Sequence, residues 1–287
     1  MNKPATKTPP RTWQLILSSA TKYLAEAGIE NAQLDARWLL ADALEIQRDR
    51  LTLILTEAIQ PAYLAKFDSH LQRRCQHEPV SHILGTRQFF GREFKVTRDV
   101  LDPRPETEVL VQAAIEQPID RILDLGTGSG CILLSILAEM PKAYGLGTDI
   151  SEAALTVARH NRKQHNLVQN CTFAQANWLA GVAGSFDLIV ANPPYISEDE
   201  MADLAPEIRD WEPKIALTPG GNGLGAYKEI AAKAYERLTV DGRLIVEIGP
   251  SQALAVVAMF QEAGLAEIEI RHDMDGRDRV VIGRRLA

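Results

Sequence analysis

The sequence predicts an α/β fold: a mostly parallel, doubly wound sheet, preceded by a small all-helical domain and a β-hairpin linker. Two observations lead to this prediction. From about residue 106 onward, short apolar runs alternate with helical patterns, whereas no strand pattern interrupts residues 11–78. Regular alternation of strand and helix is typical of a parallel sheet that is covered by helices on both faces.

Residues 11–78 have apolar side chains at helical spacing and are predicted to form a bundle of four helices. Gly28 is expected to end the first helix, because glycine readily adopts the backbone conformation found there. Asn31 and Asp49 are expected to cap the second and third helices, and Pro61 suits the first turn of the fourth. This region is therefore interpreted as a small helical domain.

Two further segments flank the helical domain. Residues 1–10 are polar and rich in proline, and they are interpreted as a flexible leader without the apolar core of a signal peptide. Residues 79–104 are interpreted as a linker, in which aromatic and polar residues alternate over residues 82–97 around Gly85 and Gly91. That alternation predicts a β-hairpin.

The remaining residues, 105–287, are predicted to form the α/β domain. The expected strands are residues 122–125, 144–148, 188–191 and 244–248, and the expected helices are residues 132–140, 153–160, 226–238 and 252–263. Residues 266–270 and 279–282 are expected to complete the sheet with an antiparallel pair at its edge.

Composition excludes some classes of protein and disfavours others. The 287 residues are 46% hydrophobic and 24% charged, as in soluble globular proteins. No apolar run approaches the roughly 20 residues that a membrane-spanning helix needs, so no membrane association and a cytoplasmic location are expected. The three cysteines have no metal-ligand spacing, which predicts neither a metal site nor a disulfide framework.

Charge is unevenly distributed along the chain, whose overall net charge is −7. Residues 1–78 carry 10 basic and 9 acidic side chains, whereas the remainder carries 21 basic and 29 acidic ones. An acidic α/β domain disfavours a bulk nucleic-acid partner, because such binding requires basic groups that neutralise phosphates.

A glycine-rich loop follows the first predicted strand of the α/β domain, where residues 121–132 read RILDLGTGSGCI. The pattern D-x-G-x-G-x-G differs from the G-x-G-x-x-G fingerprint of dinucleotide-binding folds, which is the alternative for such a loop. It resembles motif one of class I methyltransferases, whose loop packs against S-adenosylmethionine. The candidate cofactor contacts are Asp124, Gly126, Thr127, Gly128, Ser129 and Gly130.

Two more cofactor contacts are predicted at the ends of the next strands. Asp149 ends the second strand, where a carboxylate can accept hydrogen bonds from both hydroxyls of a ribose. Its alternative role is to cap the following helix. Trp178 follows a third strand that precedes the one at residues 188–191, and it is predicted to form a wall of the cofactor site, the alternative being an ordinary core residue.

Asn192-Pro193-Pro194-Tyr195 directly follows the strand at residues 188–191, beside the predicted cofactor crevice. The Asn192 side-chain oxygen and the Pro193 carbonyl can accept the two N–H bonds of a planar NH2 group and turn its lone pair toward a methyl donor. The paired prolines hold that carbonyl in one direction. Tyr195 is predicted to be a flat wall for the substrate. The tetrapeptide by itself leaves adenine, guanine and glutamine open as substrates.

The segments around the tetrapeptide resemble those of one family. They are L-D-P-R-P-E-T-E at residues 101–108, Glu212-Pro213, G-G-N-G-L at residues 220–224, and Glu247-Ile248-Gly249 with Gln252. Together they resemble the HemK/PrmC family, the peptide chain release factor glutamine methyltransferases, over nearly the whole chain.

The resemblance implies a Rossmann-like class I methyltransferase that converts S-adenosyl-L-methionine to S-adenosyl-L-homocysteine without a metal. Its implied substrate and partner is a class-one release factor of translation termination, methylated on the glutamine amide of a Gly-Gly-Gln motif. It places cofactor contacts at residues 126–130, Asp149, Trp178 and Asn192, and the substrate amide at residues 192–195. By family analogy, the helical domain at residues 11–78 is a substrate-recognition domain.

Arg104 and Glu106 belong to the first of these segments and have two interpretations. They are either a solvated charged turn that opens a helix, where an acidic residue is favourable, or a wall of the active site. The resemblance favours the second, so both are predicted substrate-binding residues. The chain departs from the family pattern at Asp102, Asn177 and Ala191, where isoleucine, aspartate and serine are usual.

Three alternative functions remain open at the level of sequence. A nucleic-acid amino methyltransferase uses the same tetrapeptide, but no direct nucleic-acid substrate is expected of this acidic domain. A methyltransferase of a glutamine in a ribosomal protein shares the chemistry and differs in its substrate. A scaffold that binds the cofactor without catalysis is disfavoured by the intact tetrapeptide.

Overall fold

A computed structural model describes residues 12–287 and divides the chain into two compact units, the first ending at Leu84 and the second running from Gly85 to Ala287. The predicted leader, residues 1–10, lies outside the described residues. The division falls six residues beyond the predicted end of the helical domain at residue 78, because a short helix follows Pro79 and belongs to the first unit.

The first unit is helical, with a core of its own. Its helices are α1 (Trp13–Glu26), α2 (Ala32–Ala43), α3 (Leu51–Ile54), α4 (Pro61–Cys75) and α5 (Val80–Leu84). The fully buried side chains include Trp13, Leu24, Leu39, Leu40 and Phe67. Burial of large apolar side chains from α1, α2 and α4 supplies most of the stability of such a bundle.

The predicted helix ends are only partly correct. Gly28 follows α1 with a φ of +81°, and Pro61 is the first residue of α4. Asn31 occupies the position before α2, but its side chain makes no capping hydrogen bond. The prediction for Asp49 is wrong, because it lies inside a 3-10 turn, Arg48–Arg50, and Arg50 precedes α3.

A buried ion pair joins two helices of this unit. The Arg74 Nε donates to Asp35 Oδ2 at 2.7 Å, and neither side chain is more than 10% exposed. Removing the Asp35 carboxylate takes away a charged partner of the buried Arg74 guanidinium, and the loss of such a partner costs about 3–5 kcal/mol. We expect Asp35→Ala to destabilise the helical unit by that amount in urea unfolding. Asp68→Ala, at an exposed position of α4, is the control and is expected to change stability little.

The second unit begins with an antiparallel hairpin of β1 (Thr86–Phe89) and β2 (Arg92–Lys95). The turn has Gly91 at a φ of +70°, which explains the need for glycine there. The predicted hairpin is thus confirmed, although the segment predicted for it, residues 82–97, includes the end of α5.

A sheet of seven strands follows, and it confirms the predicted fold class. The strands are β3 (Arg121–Leu125), β4 (Tyr144–Asp149), β5 (Cys171–Gln175), β6 (Phe186–Ala191), β7 (Leu238–Glu247), β8 (Ala266–His272) and β9 (Asp278–Arg284). Their order is β5-β4-β3-β6-β7-β9-β8, with β3 to β7 parallel. The antiparallel pair stands at the edge, as predicted, and β9 inserts between β7 and β8.

Helices cover both faces of the sheet. They are α6 (Glu108–Ile115), α7 (Cys131–Glu139), α8 (Glu152–Gln164), α9 (Pro206–Arg209), α10 (Lys214–Leu217), α11 (Gly225–Ala234) and α12 (Ala253–Glu262). Neighbouring strand residues separate into two cores: Ile122 packs with Leu133 on one face, and Leu123 packs with Phe260 on the other. Cys131 and Cys171 are buried in the first core as free thiols.

The strand order reverses direction at β3, whose neighbours are β4 and β6. In open parallel sheets a crevice forms at such a point, outside the carboxyl ends of the strands. Both predicted loops of the site follow strands that end there. No helix within residues 12–287 is long and apolar enough to cross a membrane.

Candidate active site

A cavity of about 530 Å³ lies at the carboxyl ends of β3, β4 and β6. Its volume is within the range of about 300–1,000 Å³ that is usual for small-molecule sites. The sequence-predicted residues that line it are Arg104, Gly126, Thr127, Gly128, Ser129, Asp149, Trp178, Asn192 and Pro194. Five others, Asp124, Gly130, Pro193, Tyr195 and Glu106, are not part of its lining.

The glycine loop turns sharply between β3 and α7. Gly126, Gly128 and Gly130 have φ values of +69°, +55° and +80°, which side-chain-bearing residues rarely adopt. At Gly126 a Cβ atom would also lie 3.3 Å from the Trp178 ring. The glycines therefore let the backbone border the cavity, and Trp178 packs directly over the first of them.

Asp124 lies beneath this loop and is fully buried. Thr127 Oγ1 donates to its Oδ2 at 2.6 Å. Burial raises the pKa of Asp124 to about 7, and the nearby negative charge of Asp149 adds to the shift. The position of Asp124 indicates that it shapes the loop from below, and a direct cofactor contact stays a prediction.

Asp149 ends β4 and faces the cavity. Its Oδ2 accepts a hydrogen bond from the Gly128 N–H at 2.9 Å, and its Oδ1 accepts one from the Ser151 N–H at 2.9 Å. Ser151, rather than Asp149, caps α8 with its side chain. A carboxylate has about four acceptor positions, so each oxygen retains capacity for a hydroxyl donor.

The tetrapeptide after β6 contributes Asn192 and Pro194 to the cavity. Asn192 Nδ2 lies 3.3 Å from Thr107 Oγ1, to which it donates. Pro193 is buried, whereas Asn192 and Pro194 are half-buried. The Tyr195 ring instead packs beside Gly249, and burial together with the Glu247 charge raises its pKa to about 12. Its predicted role as a substrate wall stays a prediction.

Gln252 ties this loop to the rest of the unit. Its Nε2 donates to the Tyr195 carbonyl at 2.9 Å, while its Oε1 accepts from the Gly249 N–H and the Tyr227 hydroxyl at 3.0 and 3.1 Å. One amide side chain therefore connects the end of the tetrapeptide, the end of β7 and α11.

Comparison with known proteins identifies the family. The model of the PrmC N-terminal domain matches residues 16–85, and that of the methyltransferase small domain matches residues 97–222. The chain is 49% identical to a release factor glutamine methyltransferase of Cereibacter sphaeroides, over 93% of this chain and 96% of that protein. The chain belongs to the release factor glutamine methyltransferase family.

Two more comparisons agree with this membership. A release factor glutamine methyltransferase of Rhodospirillum rubrum is 42% identical over 95% of this chain and 85% of its own length. A solved methyltransferase of Pyrococcus furiosus superposes with a TM-score of 0.54 at 15% identity, covering 69% of this chain and 91% of its own, and supports the fold alone.

Members of a methyltransferase family use S-adenosylmethionine, and the cavity fits that group. Glycines with positive φ bring backbone to the cavity, the Trp178 ring borders it, and the Asp149 side chain at the end of β4 lines it as well. Within residues 12–287, no cluster of three or more His, Cys, Asp and Glu side chains is placed to hold a metal ion.

Arg104 and Glu106, which were predicted together, lie in different surroundings in the structure. Arg104 lines the cavity, and its Nη2 donates to Glu212 Oε1 at 2.5 Å. Glu106 is exposed in the 3-10 turn, Pro105–Thr107, that precedes α6. Asp102, a departure from the family pattern, is buried with its Oδ2 at 3.7 Å from Arg87 and 3.9 Å from Arg104. A substrate role for Arg104 is thus sterically open, and Glu106 faces solvent.

Sequence reasoning assigned no individual role to Thr107 or Glu247. Thr107 lines the cavity, and its hydroxyl oxygen accepts a hydrogen bond from Asn192 Nδ2 at 3.3 Å, while Glu247 is buried at the end of β7. Both lie in segments that carry the family resemblance, at residues 101–108 and 247–249. Their place in these segments was the signal available in the sequence, because the spacing of the two residues does not indicate that they belong to the site.

We expect Gln252→Leu, which keeps the side-chain size, to lower turnover about 10- to 100-fold, because small misplacements of a positioning loop have costs of that order. The Tyr195 carbonyl and Gly249 N–H would lose their partner, so the tetrapeptide would shift. Steady-state methylation kinetics measure this effect. Gln261→Leu, at an exposed position of α12, is the matched control; equal kinetics of the two variants would contradict the expectation.

Proposed function

We propose that this chain methylates the glutamine side-chain amide of the Gly-Gly-Gln motif of class-one release factors. The observation that carries this proposal is the single cavity that combines the glycine loop, Asp149 and the Asn192–Pro194 segment, in a chain of this family. Because translation takes place in the cytoplasm, the proposal also implies a cytoplasmic location.

The site must transfer a methyl group to an amide nitrogen, which is a weak nucleophile. S-adenosylmethionine, when bound, supplies a methyl group on a positively charged sulfur. The lone pair of an amide nitrogen is delocalised into its carbonyl, so the chain's part is to turn that lone pair toward the methyl group. Asn192 Oδ1 and the Pro193 carbonyl accept the two N–H bonds and stabilise the positive charge that develops on the nitrogen.

The cofactor contacts in this proposal are the backbone of residues 126–130, the carboxylate of Asp149 and the ring of Trp178. Their support is that the loop, the carboxylate and the ring border one cavity. Asp149 would accept the ribose hydroxyls and Trp178 would flank the adenine.

The helical unit is proposed to recognise the body of the release factor, away from the reacting loop. Its support is the match of residues 16–85 to the PrmC N-terminal domain and an apolar core separate from that of the second unit. A flexible Gly-Gly-Gln loop offers few contacts of its own, so a second binding region supplies specificity. No direct nucleic-acid substrate and no membrane partner are proposed.

The test is a transfer assay with methyl-labelled S-adenosylmethionine. Purified release factor, the same factor with the Gly-Gly-Gln glutamine changed to alanine, ribosomal proteins and rRNA are offered in parallel. We expect label only in the unchanged release factor, and mass spectrometry should place one methyl group on that glutamine. Label in ribosomal protein or rRNA, with none in the release factor, would refute the proposal.

A further inference from the structure

A buried asparagine, Asn161, lies behind the glycine loop and has no part in the chemistry proposed above. It belongs to α8, is 0% exposed, and is not part of the cavity lining. A buried amide side chain is costly unless its hydrogen bonds are satisfied. The partners of Asn161 therefore indicate what the residue does.

Within residues 12–287, Asn161 makes three hydrogen bonds, and all of them go to backbone groups. Its Oδ1 accepts from the Lys95 N–H at 2.8 Å, and its Nδ2 donates to the Lys95 carbonyl at 3.0 Å. Nδ2 also donates to the Ser129 carbonyl at 2.8 Å. Because a backbone N–H only donates and a carbonyl only accepts, these partners allow one orientation of the amide.

The Ser129 carbonyl belongs to the part of the glycine loop that borders the cavity. Ser129 lines the cavity, and the next backbone N–H, that of Gly130, donates to the Thr127 carbonyl at 2.8 Å. The peptide between Ser129 and Gly130 is thus held at both ends, by Asn161 and by the turn. Gly130 has a φ of +80°, and a glycine offers little resistance to rotation of the peptide before it. Asn161 supplies the restraint that the glycine lacks.

We propose that Asn161 is a positioning residue of the cofactor site, which fixes the peptide between Ser129 and Gly130 and couples it to β2. The inference rests on the proposed function in one respect, namely that S-adenosylmethionine fills the cavity. Asn161 acts through the backbone of the loop and not on the ligand. Asp149 differs from it, because Asp149 bonds to the Gly128 N–H at 2.9 Å and also lines the cavity.

The partners of the Asn161 amide predict a coupling between the cavity and β2. A ligand that binds best when the loop is in place also stabilises the bonds that hold the loop, because coupling between two sites is reciprocal. The Lys95 N–H can report this effect, since it donates to Asn161 Oδ1. We therefore expect the cofactor to slow hydrogen exchange at the Lys95 amide, although Lys95 is not part of the cavity lining.

The first experiment measures the affinity of the full chain for S-adenosylhomocysteine by titration calorimetry. Asn161→Asp keeps the size of the side chain and an acceptor for the Lys95 N–H, but it loses both donated bonds and sets an oxygen against the Ser129 carbonyl. We expect the dissociation constant to rise about 10-fold, on the order of the contribution of one hydrogen bond. Asn161→Ala, in which water can enter the vacated space, is expected to show a similar rise.

Gln164→Glu is the matched control for Asn161→Asp. The Gln164 Nε2 donates from the same helix to the same strand, to the Glu93 carbonyl at 3.1 Å. The substitution adds the same charge and removes the same kind of bond without reaching the glycine loop, so cofactor affinity is expected to stay unchanged. Phe260→Leu, in the core on the other face of the sheet, lowers stability away from the loop and controls for a general loss of structure.

The second experiment needs no substitution at Asn161. In protein labelled with 15N-lysine, the Lys95 amide signal is identified by its absence in Lys95→Arg. We expect S-adenosylhomocysteine to slow exchange of this amide in the wild-type chain, with the Lys66 amide of the helical unit as an unchanged reference. In Asn161→Ala, exchange at Lys95 is expected not to respond to the cofactor.

The outcomes that would overturn the inference are distinct. They are a wild-type affinity in Asn161→Asp, an equal loss of affinity in Gln164→Glu or Phe260→Leu, and a wild-type Lys95 exchange rate that the cofactor does not change. A wild-type chain that binds no S-adenosylhomocysteine would overturn it together with the cofactor assignment.

Methylation kinetics with release factor separate positioning from general damage. We expect Asn161→Asp to raise KM for S-adenosylmethionine with a much smaller change in kcat at saturating cofactor; a loss confined to kcat would contradict the inference. If the wild-type chain methylates no release factor, the proposed substrate fails, whereas the affinities and the Lys95 exchange rates still decide the role of Asn161.

Discussion

Asn192→Ala is expected to lower kcat by about 10²–10³-fold, the usual cost of removing one positioned hydrogen-bonding group that acts on a transition state. The Asn192 oxygen is proposed to hold the substrate NH2 group as charge develops on its nitrogen. Without it, the amide lone pair stays delocalised and misdirected. Single-turnover methylation with saturating cofactor measures the effect on the chemical step.

Asn170→Ala is the control for this substitution. Asn170 lies just before β5, at the amino end of that strand, whereas the cavity lies at the carboxyl ends. Its side chain donates to the Pro141 carbonyl. Its removal is expected to leave kcat unchanged. A folded Asn192→Ala variant with the turnover of Asn170→Ala would refute the role proposed for Asn192.

Asp149→Ala is expected to weaken S-adenosylmethionine binding by about 100-fold or more, since each hydrogen bond to a charged group contributes about 1.5–3 kcal/mol. The substitution removes the acceptor for the proposed ribose hydroxyls. It also removes the acceptor of the Gly128 and Ser151 N–H groups, both of which hold the cavity wall. Titration calorimetry with the cofactor measures the affinity directly.

The control for Asp149→Ala removes an equal charge far from the cavity. Asp275 is exposed in the turn between β8 and β9, and Asp275→Ala is expected to bind cofactor as the wild-type chain does. Asp149→Asn keeps the shape of the side chain but sets an amide nitrogen against the Gly128 or Ser151 N–H in either orientation, so it is also expected to weaken binding. An unchanged affinity in Asp149→Ala would contradict the assignment of the ribose contact.

Elements with strong periodicity or a required backbone conformation were predictable from the chain alone. The glycines at 126, 128 and 130 indicate a turn that other residues rarely adopt, and all three have positive φ. The helix caps were less predictable. Asn31 and Asp49 are good capping residue types, but tertiary packing places the helix starts without their side chains.

The loops that border the site were predictable from the sequence, whereas the packing of the side chains behind them was less so. Residues next to the ends of parallel strands meet at one edge of the sheet by geometry, so Asp149 and Asn192 share a cavity as expected. The Tyr195 ring lies beside Gly249 and is not part of the cavity lining, and the Gln252 hydrogen bond holds its carbonyl. No local pattern in the sequence carries that information.

The sequence by itself determined the fold class, the family and the two loops that are proposed to carry the chemistry, because each depends on periodicity or on contiguous motifs. Only the tertiary structure decided that Thr107, 85 positions before Asn192, accepts a hydrogen bond from the Asn192 side chain. That contact depends on how the turn before α6 packs against the end of β6. Such long-range contacts have no local signature, so the surroundings of the Asn192 amide are set only in the folded chain.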